Sequence, residues 1–373
     1  MQDSPAPTRI MLGGGGTGGH VYPLLAIVEE MDRARFEFHW LGSERSEARI
    51  VPQYAIPIEF HQIDIRFSYR LPVPNNWGYY RQHIFPLLRG RPFRQALEVL
   101  DRVRPQLVLA SGGYVSAPAL WAAAQRGVPY ALVQLDAALG VVNSHFACGA
   151  ARVYASTEPA AARLRTICPP GRVMLSGFPA RRAQQSREQV FTLHGLDQRR
   201  KLLVVMGGSL GTGAIAGLAA GLIKELDQSA YADTIAVLFA AGERMDTAEA
   251  IRDSPAQRLQ FAAVDYLGDS VSALAAADFY LGRSGASTVA ELIATGPQCL
   301  LIPDPQHPDR QQYGNASQLV ARGQGEILEQ REATGAAALK WLARAWNKPR
   351  VAPPMPPAAD VIASDVVRLL QSA

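Results

Sequence analysis

Three glycine-rich runs carry the residue types that hold anions and sugars. They are Gly13-Gly14-Gly15-Gly16-Thr17-Gly18-Gly19-His20, Gly207-Gly208-Ser209-Leu210-Gly211 and Gly282-Arg283-Ser284-Gly285-Ala286-Ser287-Thr288. Each follows a short apolar run and precedes a helical pattern. Glycine lets the backbone turn sharply and approach a ligand, and a helix start offers unpaired N–H groups to an anion. Two such turns in the second half suit a pyrophosphate and its sugar. Gly14, Gly16 and Gly19 also satisfy G-x-G-x-x-G. A nicotinamide enzyme would add an acid about 20 residues on, at the end of the second strand. Here that strand closes Trp40-Leu41-Gly42-Ser43, without one. The plain alternative is a tight turn for the glycines and N-capping for Ser287 and Thr288. Six glycines in seven residues favour ligand contact at the first run.

The turns need strands before them and helices after them. In the first half, residues 9–12, 36–41, 58–65, 107–110 and 128–133 are expected strands, while 22–31, 93–103 and 117–125 have helical spacing. The pattern restarts with a strand at 201–206, a helix at 214–226, and strands at 234–240, 277–281 and 299–302. Strands alternating with helices indicate βαβ units, parallel sheets and right-handed crossovers. The expected architecture is α/β, with Rossmann-like domains at 1–178 and 179–350. The proline-rich segment 351–358 then carries a last helix back onto the first domain.

At 373 residues the chain is long enough for two domains that each bury a core. With 48% hydrophobic and 19% charged residues it is not a disordered chain. Cys148, Cys168 and Cys299 form no CxxC pair or Cys/His cluster, so neither a zinc site nor a disulfide framework is expected, and a reducing cytoplasm fits. The N-terminus lacks a signal-peptide pattern, and no stretch reaches the roughly 18 apolar residues of a membrane span. Any membrane contact is therefore expected to be peripheral. Between Arg66 and Arg104, eight arginines stand against two acids, Glu98 and Asp101. A local patch of this kind suits an anionic surface rather than nucleic acid. Trp77, Ile84, Phe85, Leu88 and Phe93 alternate there with Arg89, Arg91 and Arg94. That is the composition of an interfacial segment on anionic lipid, although core packing accounts for some of the aromatics.

Five blocks, in order, resemble the MurG family (glycosyltransferase family 28). They are Gly15-Gly16-Thr17-Gly18-Gly19-His20, Ser111-Gly112-Gly113-Tyr114-Val115-Ser116, Gly207-Gly208-Ser209, the run from Gly282 to Glu291, and Gln306-His307-Pro308-Asp309-Arg310-Gln311-Gln312-Tyr313-Gly314-Asn315-Ala316. The resemblance implies a GT-B fold, two Rossmann-like domains with parallel sheets facing across a cleft. It implies inverting transfer of N-acetylglucosamine from UDP-N-acetylglucosamine to the 4-hydroxyl of the muramyl sugar in lipid I. The product is lipid II, made at the inner face of the cell membrane without metal or cofactor. The implied partners are the UDP-sugar, a lipid-linked acceptor and the anionic membrane surface, with no nucleic acid.

Residue by residue, the resemblance implies an acceptor cleft at Gly15, Gly16, Tyr114 and Ser116, and donor contacts at Thr17, Gly18, Gly19, Asn143 and Arg181. Ser209 reaches a phosphate, and Leu267 offers its backbone to uracil. Ala286, Ser287 and Thr288 lie beside the phosphates and sugar, Glu291 takes the ribose hydroxyls, and Gln311 and Gln312 take the sugar hydroxyls. A carboxylate suits a vicinal diol, and a primary amide both donates and accepts. The plain alternatives are an exposed helix charge for Glu291 and helix surface for the glutamines. His20, at a helix start, is the candidate base that deprotonates the acceptor hydroxyl. Its alternative is a hydrogen bond to the turn or an orienting role.

The chain also departs from the family. Where a His-Glu-Gln-Asn run is usual, it has Val133-Gln134-Leu135-Asp136, although Asn143 matches. Asp136 accepts from a donor hydroxyl, acts as or assists the base, or marks a different donor or acceptor sugar. The glycine-rich acceptor loop expected near residue 66 is replaced by Ile65-Arg66-Phe67-Ser68-Tyr69-Arg70, and Leu210 stands where glutamine is usual. The competing readings are a related transferase with other substrates, an inactive sugar-nucleotide-binding homologue, and a NAD-dependent enzyme. His20, Glu291, Gln311 and Gln312 argue against the inactive homologue, and the missing ribose acid argues against the NAD enzyme.

Overall fold

Short, largely apolar runs become the central strands. Leu107–Ala110, Tyr130–Gln134 and Ile235–Ala240 are buried along their whole length, as parallel strands covered on both faces must be. The structure is a computed structural model that describes residues 6–65, 90–208, 211–242, 256–306 and 310–371. It divides into two units, residues 1–180 with 358–373, and residues 181–357.

Among the described residues, the first unit has a seven-stranded parallel sheet of β1 (Thr8–Gly13), β2 (Phe36–Gly42), β3 (Ile58–Gln62), β4 (Leu107–Ala110), β5 (Tyr130–Gln134), β6 (Arg152–Ala155) and β7 (Val173–Leu175). Their spatial order is β3-β2-β1-β4-β5-β6-β7. The second unit has a six-stranded parallel sheet of β8 (Lys201–Met206), β9 (Ile235–Ala240), β10 (Gln260–Val264), β11 (Phe279–Gly282), β12 (Gln298–Leu301) and β13 (Gly325–Ile327), in the order β10-β9-β8-β11-β12-β13. The order reverses between β1 and β4, and again between β8 and β11. Open α/β sheets bind ligands outside the carboxyl ends of the strands at such switch points. The glycine turns after β1, β4, β8 and β11 occupy those positions.

The helices differ from expectation in instructive ways. The helix Gly18–Glu29 begins four residues before the expected 22, because Gly18, Gly19 and Pro23 have low helix propensity and hide its first turn. The helix Arg91–Val103 buries Phe93, Ala96, Val99, Leu100 and Val103 at helical spacing. Phe93 is 2% exposed and meets Trp121 edge to face at 5.0 Å. It is a core residue, which corrects its assignment to the interfacial segment, whereas Arg91 and Arg94 remain exposed. Strands β6, β7, β10 and β13 were not expected. The last three are short and only partly buried, so they lack apolar contrast.

The last helix, Ala358–Gln371, packs in the first unit against Gly18–Glu29. Its Asp365 is buried and accepts from Arg152 Nε at 2.8 Å and from the Tyr154 hydroxyl at 3.0 Å. Burial, and then the Asp365 charge, push the Tyr154 phenol well above its ordinary pKa. Among the described residues no helix is long and apolar enough to cross a membrane.

Candidate active site

In the first unit the β1 turn is held by a residue that sequence reasoning passed over. Glu47, from the short helix Ser46–Ile50, is fully buried. Its carboxylate accepts from Gly16 N–H at 2.8 Å, Ser43 N–H at 2.8 Å and Ser43 Oγ at 2.5 Å. A Cβ on Gly15 would lie 2.3 Å from the Glu47 carboxyl carbon, so only glycine fits there. Trp40 Nε1 donates to Gly14 O at 3.0 Å from the other side. No acid ends β2 itself; the nearby carboxylate comes from the next helix, and it is spent on the turn.

The β4 turn closes against the first helix. His20 Nδ1 lies 3.1 Å from Ser111 O, and Ser111 Oγ donates to His20 O at 2.5 Å. A carbonyl can only accept, so the ring proton sits on Nδ1 and Nε2 is left as the acceptor. Gly113, at φ 73°, passes so near that a Cβ would meet the ring at 3.0 Å. The Tyr114 ring lies along Gly16, and Ser116 Oγ donates to Gly113 O at 2.8 Å. The β1 and β4 turns thus form one packed element, with Gly15, Gly16, Tyr114, Ser116 and His20 in it. Thr17 is the N-cap position of the helix Gly18–Glu29, whose first residues are Gly18 and Gly19.

The β5 turn lies next along the same sheet edge. Gln134 Nε2 donates to Asp136 O at 2.8 Å and to Ala138 O at 2.9 Å, while its Oε1 accepts from Asn143 Nδ2 at 2.9 Å. Asp136 is half-buried and Asn143 is buried.

In the second unit the β11 turn is a close crossing. A Cβ on Gly282 would lie 2.1 Å from Met206 O of β8. The following helix, Ala286–Thr295, starts at Gly285 with no side-chain cap. Ser287 and Thr288 stand inside its first turn and are not its cap, so the backbone N–H groups there are not spent on a capping side chain. Ser284 is buried and donates to Gln312 O at 2.8 Å, which fixes the start of the helix Gln311–Ala321 beside the turn. Gln312 Oε1 accepts from Asp304 N at 3.0 Å, so its Nε2 is the donor end of the amide. Gln311 precedes it as the first residue of the same helix.

Glu291 is no exposed helix charge. It is 5% exposed, with Oε1 at 2.7 Å from Arg181 Nη2 and Oε2 at 2.8 Å from Ser270 Oγ. Arg181 Nη2 also donates to Ser270 Oγ at 3.0 Å. Leu267 is buried just ahead of the helix Ser270–Ala276, which Asp269 caps through Ser272 N. The structure thus joins Arg181, Glu291 and the Leu267 loop through Ser270, which sequence reasoning missed. Ser209, Trp77, Ile84, Phe85, Leu88 and Arg89 lie outside the described residues.

Residues 10–155 match the glycosyltransferase family 28 N-terminal domain, and residues 202–365 match the glycosyltransferase family 28 C-terminal domain. The chain is 33% identical over 336 residues to the UDP-N-acetylglucosamine–N-acetylmuramyl-(pentapeptide) pyrophosphoryl-undecaprenol N-acetylglucosamine transferase of Haemophilus ducreyi, covering 87% of this chain and 86% of that protein. It is 30% identical to the transferase of the same name from Salmonella paratyphi B, covering 99% and 100%. The crystal structure of Acinetobacter baumannii MurG superposes with a TM-score of 0.66 at 22% identity, covering 98% of this chain and 100% of that one. The two parallel-sheet α/β domains are those of the GT-B glycosyltransferases. A relative this similar over most of both chains settles the family: this chain is a glycosyltransferase of family 28 and belongs to its MurG branch.

Proposed function

We propose that this enzyme transfers N-acetylglucosamine from UDP-N-acetylglucosamine to the 4-hydroxyl of the muramyl sugar of lipid I, with inversion, and so makes lipid II for peptidoglycan. The observation that carries this reading is the near-full-length match to transferases of that printed name. The acceptor side is the first unit. There His20 Nε2 takes the proton from the attacking hydroxyl, with Nδ1–H fixed on Ser111 O. As the new C1–O bond forms, the bond from C1 to the diphosphate breaks and UDP leaves with its electron pair. The donor side is the second unit. There the N–H groups at Ala286, Ser287 and Thr288 meet the growing phosphate charge, and no covalent help is needed. Ser209 assists a phosphate. Glu291 takes the ribose diol, held by Arg181 and Ser270, and the Leu267 backbone meets uracil. Gln311 and Gln312 hold the sugar, and Asn143, Thr17, Gly18 and Gly19 of the first unit also contact the donor.

The reaction as read here needs neither metal nor cofactor. Arg91 and Arg94, with Trp77, Ile84, Phe85, Leu88 and Arg89, dock the enzyme on anionic lipid at the cytoplasmic face, where its acceptor resides. A second reading, a different donor or acceptor sugar, is favoured by Asp136 and by the Gln134 network beneath it. One assay separates them: the enzyme with UDP-N-acetylglucosamine and a short-chain lipid I analogue, followed for UDP release and disaccharide. Disaccharide that is lost in Gln312→Ala supports the first reading. UDP binding without disaccharide supports the second.

A further inference from the structure

On one face of β2 and β3 lies a cluster that the transfer chemistry does not use. Side chains alternate along a strand, so Glu37 and His39 share a face of β2. The parallel register sets His39 beside Glu59 and Leu41 beside His61, which brings Glu59 and His61 to the same face. His39 and His61 are buried, while the Glu59 side chain is 62% exposed. His39 Nδ1 lies 3.1 Å from His61 Nε2 and 3.3 Å from Glu59 Oε2, and His61 Nε2 lies 3.7 Å from Glu59 Oε1. One ligand atom from each of the three residues lies within 4.8 Å of the other two.

These separations are close to those along one face of a coordination tetrahedron, and a small side-chain shift brings one Glu59 oxygen to both rings. Zinc bonds of about 2.0–2.2 Å to nitrogen and oxygen place neighbouring ligand atoms roughly 3.3–3.6 Å apart. On the far side of the ring, His39 Nε2 lies 3.4 Å from Glu37 Oε1. A carboxylate behind a ligating imidazole is the usual support that fixes its tautomer.

We propose that His39, His61 and Glu59 form a binding site for a divalent transition metal, zinc by ligand type, with water in the fourth position. Bound there, the ion ties the edge strand β3 to β2. One contact opposes it. Arg102 Nη2 lies 3.2 Å from His61 Nδ1, where it donates to the ring. Metal on Nε2 moves the remaining ring proton to Nδ1, so Arg102 must swing away. Its exposed position permits this. Without metal, the same atoms make a hydrogen-bonded chain from Arg102 through His61 to His39.

The two states give opposite predictions for Arg102. The full-length protein, stripped with a chelator, is titrated with Zn²⁺ alone by calorimetry, and with Co²⁺ alone for its visible spectrum. We expect one saturable equivalent and tetrahedral Co²⁺ bands without thiolate charge transfer, since Cys148 is an exposed free thiol that would report itself that way. Glu59→Gln, at an exposed position, should weaken binding at least ~10-fold, on the scale of lost metal-site support. Arg102→Ala should tighten binding, and His39→Gln should abolish it. Absence of a saturable equivalent, thiolate bands, or affinity unchanged in Glu59→Gln would each overturn the proposal. So would weaker binding in Arg102→Ala.

Discussion

The two switch points use the same device, a strand, a glycine turn and a helix, to opposite ends. In the first unit the turn is already occupied. The fully buried Glu47 carboxylate accepts from Gly16 N–H and braces Gly15. A buried anion at the mouth of a glycine loop repels a second one, so this turn is unsuited to a diphosphate. It suits a neutral hydroxyl, and it sets His20 Nε2 as an acceptor nearby. In the second unit the helix after Gly285 has no capping side chain, and the nearest buried carboxylate, Glu291, is paired with Arg181. That turn carries no capping side chain and no unpaired buried carboxylate among the described residues, which fits its proposed role toward the donor phosphates. Glycine-rich loops of the same outline thus differ in their electrostatics according to one carboxylate that the loops do not contain.

The largest expected effect tests the first half of this contrast. His20→Ala should lower kcat by roughly 10²–10⁴-fold, the range for loss of a general base. UDP affinity, measured by calorimetry, should stay unchanged, because the proposed nucleotide site is the other turn. If UDP binding collapses with turnover, the division of labour between the turns is wrong. Next in size is Glu47→Ala. It strands Gly16 N–H, Ser43 N–H and Ser43 Oγ. Hydrogen bonds to a charged group contribute about 1.5–3 kcal/mol each and are not additive. We expect a loss of about 3 kcal/mol in urea unfolding, with Glu47→Gln losing less because its amide oxygen still accepts. A neutral glutamine also removes the repelling charge. If Glu47→Gln leaves UDP binding to the first unit undetectable, the charge is not what excludes the diphosphate.

Ser270→Ala probes the second turn. It removes the hydroxyl bridging Arg181 and Glu291 and leaves the ion pair at 2.7 Å in place. Hydrogen bonds to charged groups contribute about 1.5–3 kcal/mol, and the remaining ion pair recovers part of that. A ribose-binding Glu291 that loses its orientation should raise KM for the UDP-sugar about 5- to 10-fold with kcat held. An equal fall in kcat with KM unchanged would place Glu291 in the transition state instead.

Much of this was legible in the residues. Glycine turns punctuate a chain locally, so the runs at Gly13, Gly207 and Gly282 announced both switch points before any topology was known. Buried strands such as Leu107–Ala110 are continuous apolar runs and read as such. Glu47 was not legible, because its role depends on a helix folding back on a turn 31 residues away. The pairing of Glu291 with Arg181 spans 110 residues, and nothing in the local pattern of either residue points to it. The pairing of His39 with His61 is hidden for a related reason. It exists only once β2 and β3 are in register, and single-chain spacing carries no register. Phe93 read as interfacial because aromatics beside arginines have one composition in a core helix and at a membrane. Only the angular position around the helix separates the two.

The smallest effect expected concerns the β5 turn, where the two readings of the substrate part. Gln134 donates to two carbonyls, of Asp136 and Ala138, and accepts from Asn143. A glutamate there, as the family usually carries, has no hydrogen to give either carbonyl and turns a negative oxygen toward both. Gln134→Glu should therefore cost about 1–2 kcal/mol, near the penalty for stranding a buried polar group, and displace the turn. Asp136 itself is half-buried, so Asp136→Asn should change stability by less than about 0.5 kcal/mol. Its effect belongs to the substrate. If the family's sugar is the true donor, the asparagine amide restores an N–H to a sugar hydroxyl and lowers KM for UDP-N-acetylglucosamine a few-fold. If the aspartate selects a different sugar, the same change raises KM for that sugar and leaves the N-acetylglucosamine rate where it was. A single substitution measured on two donors thus decides whether the charge at Asp136 is tolerated or used.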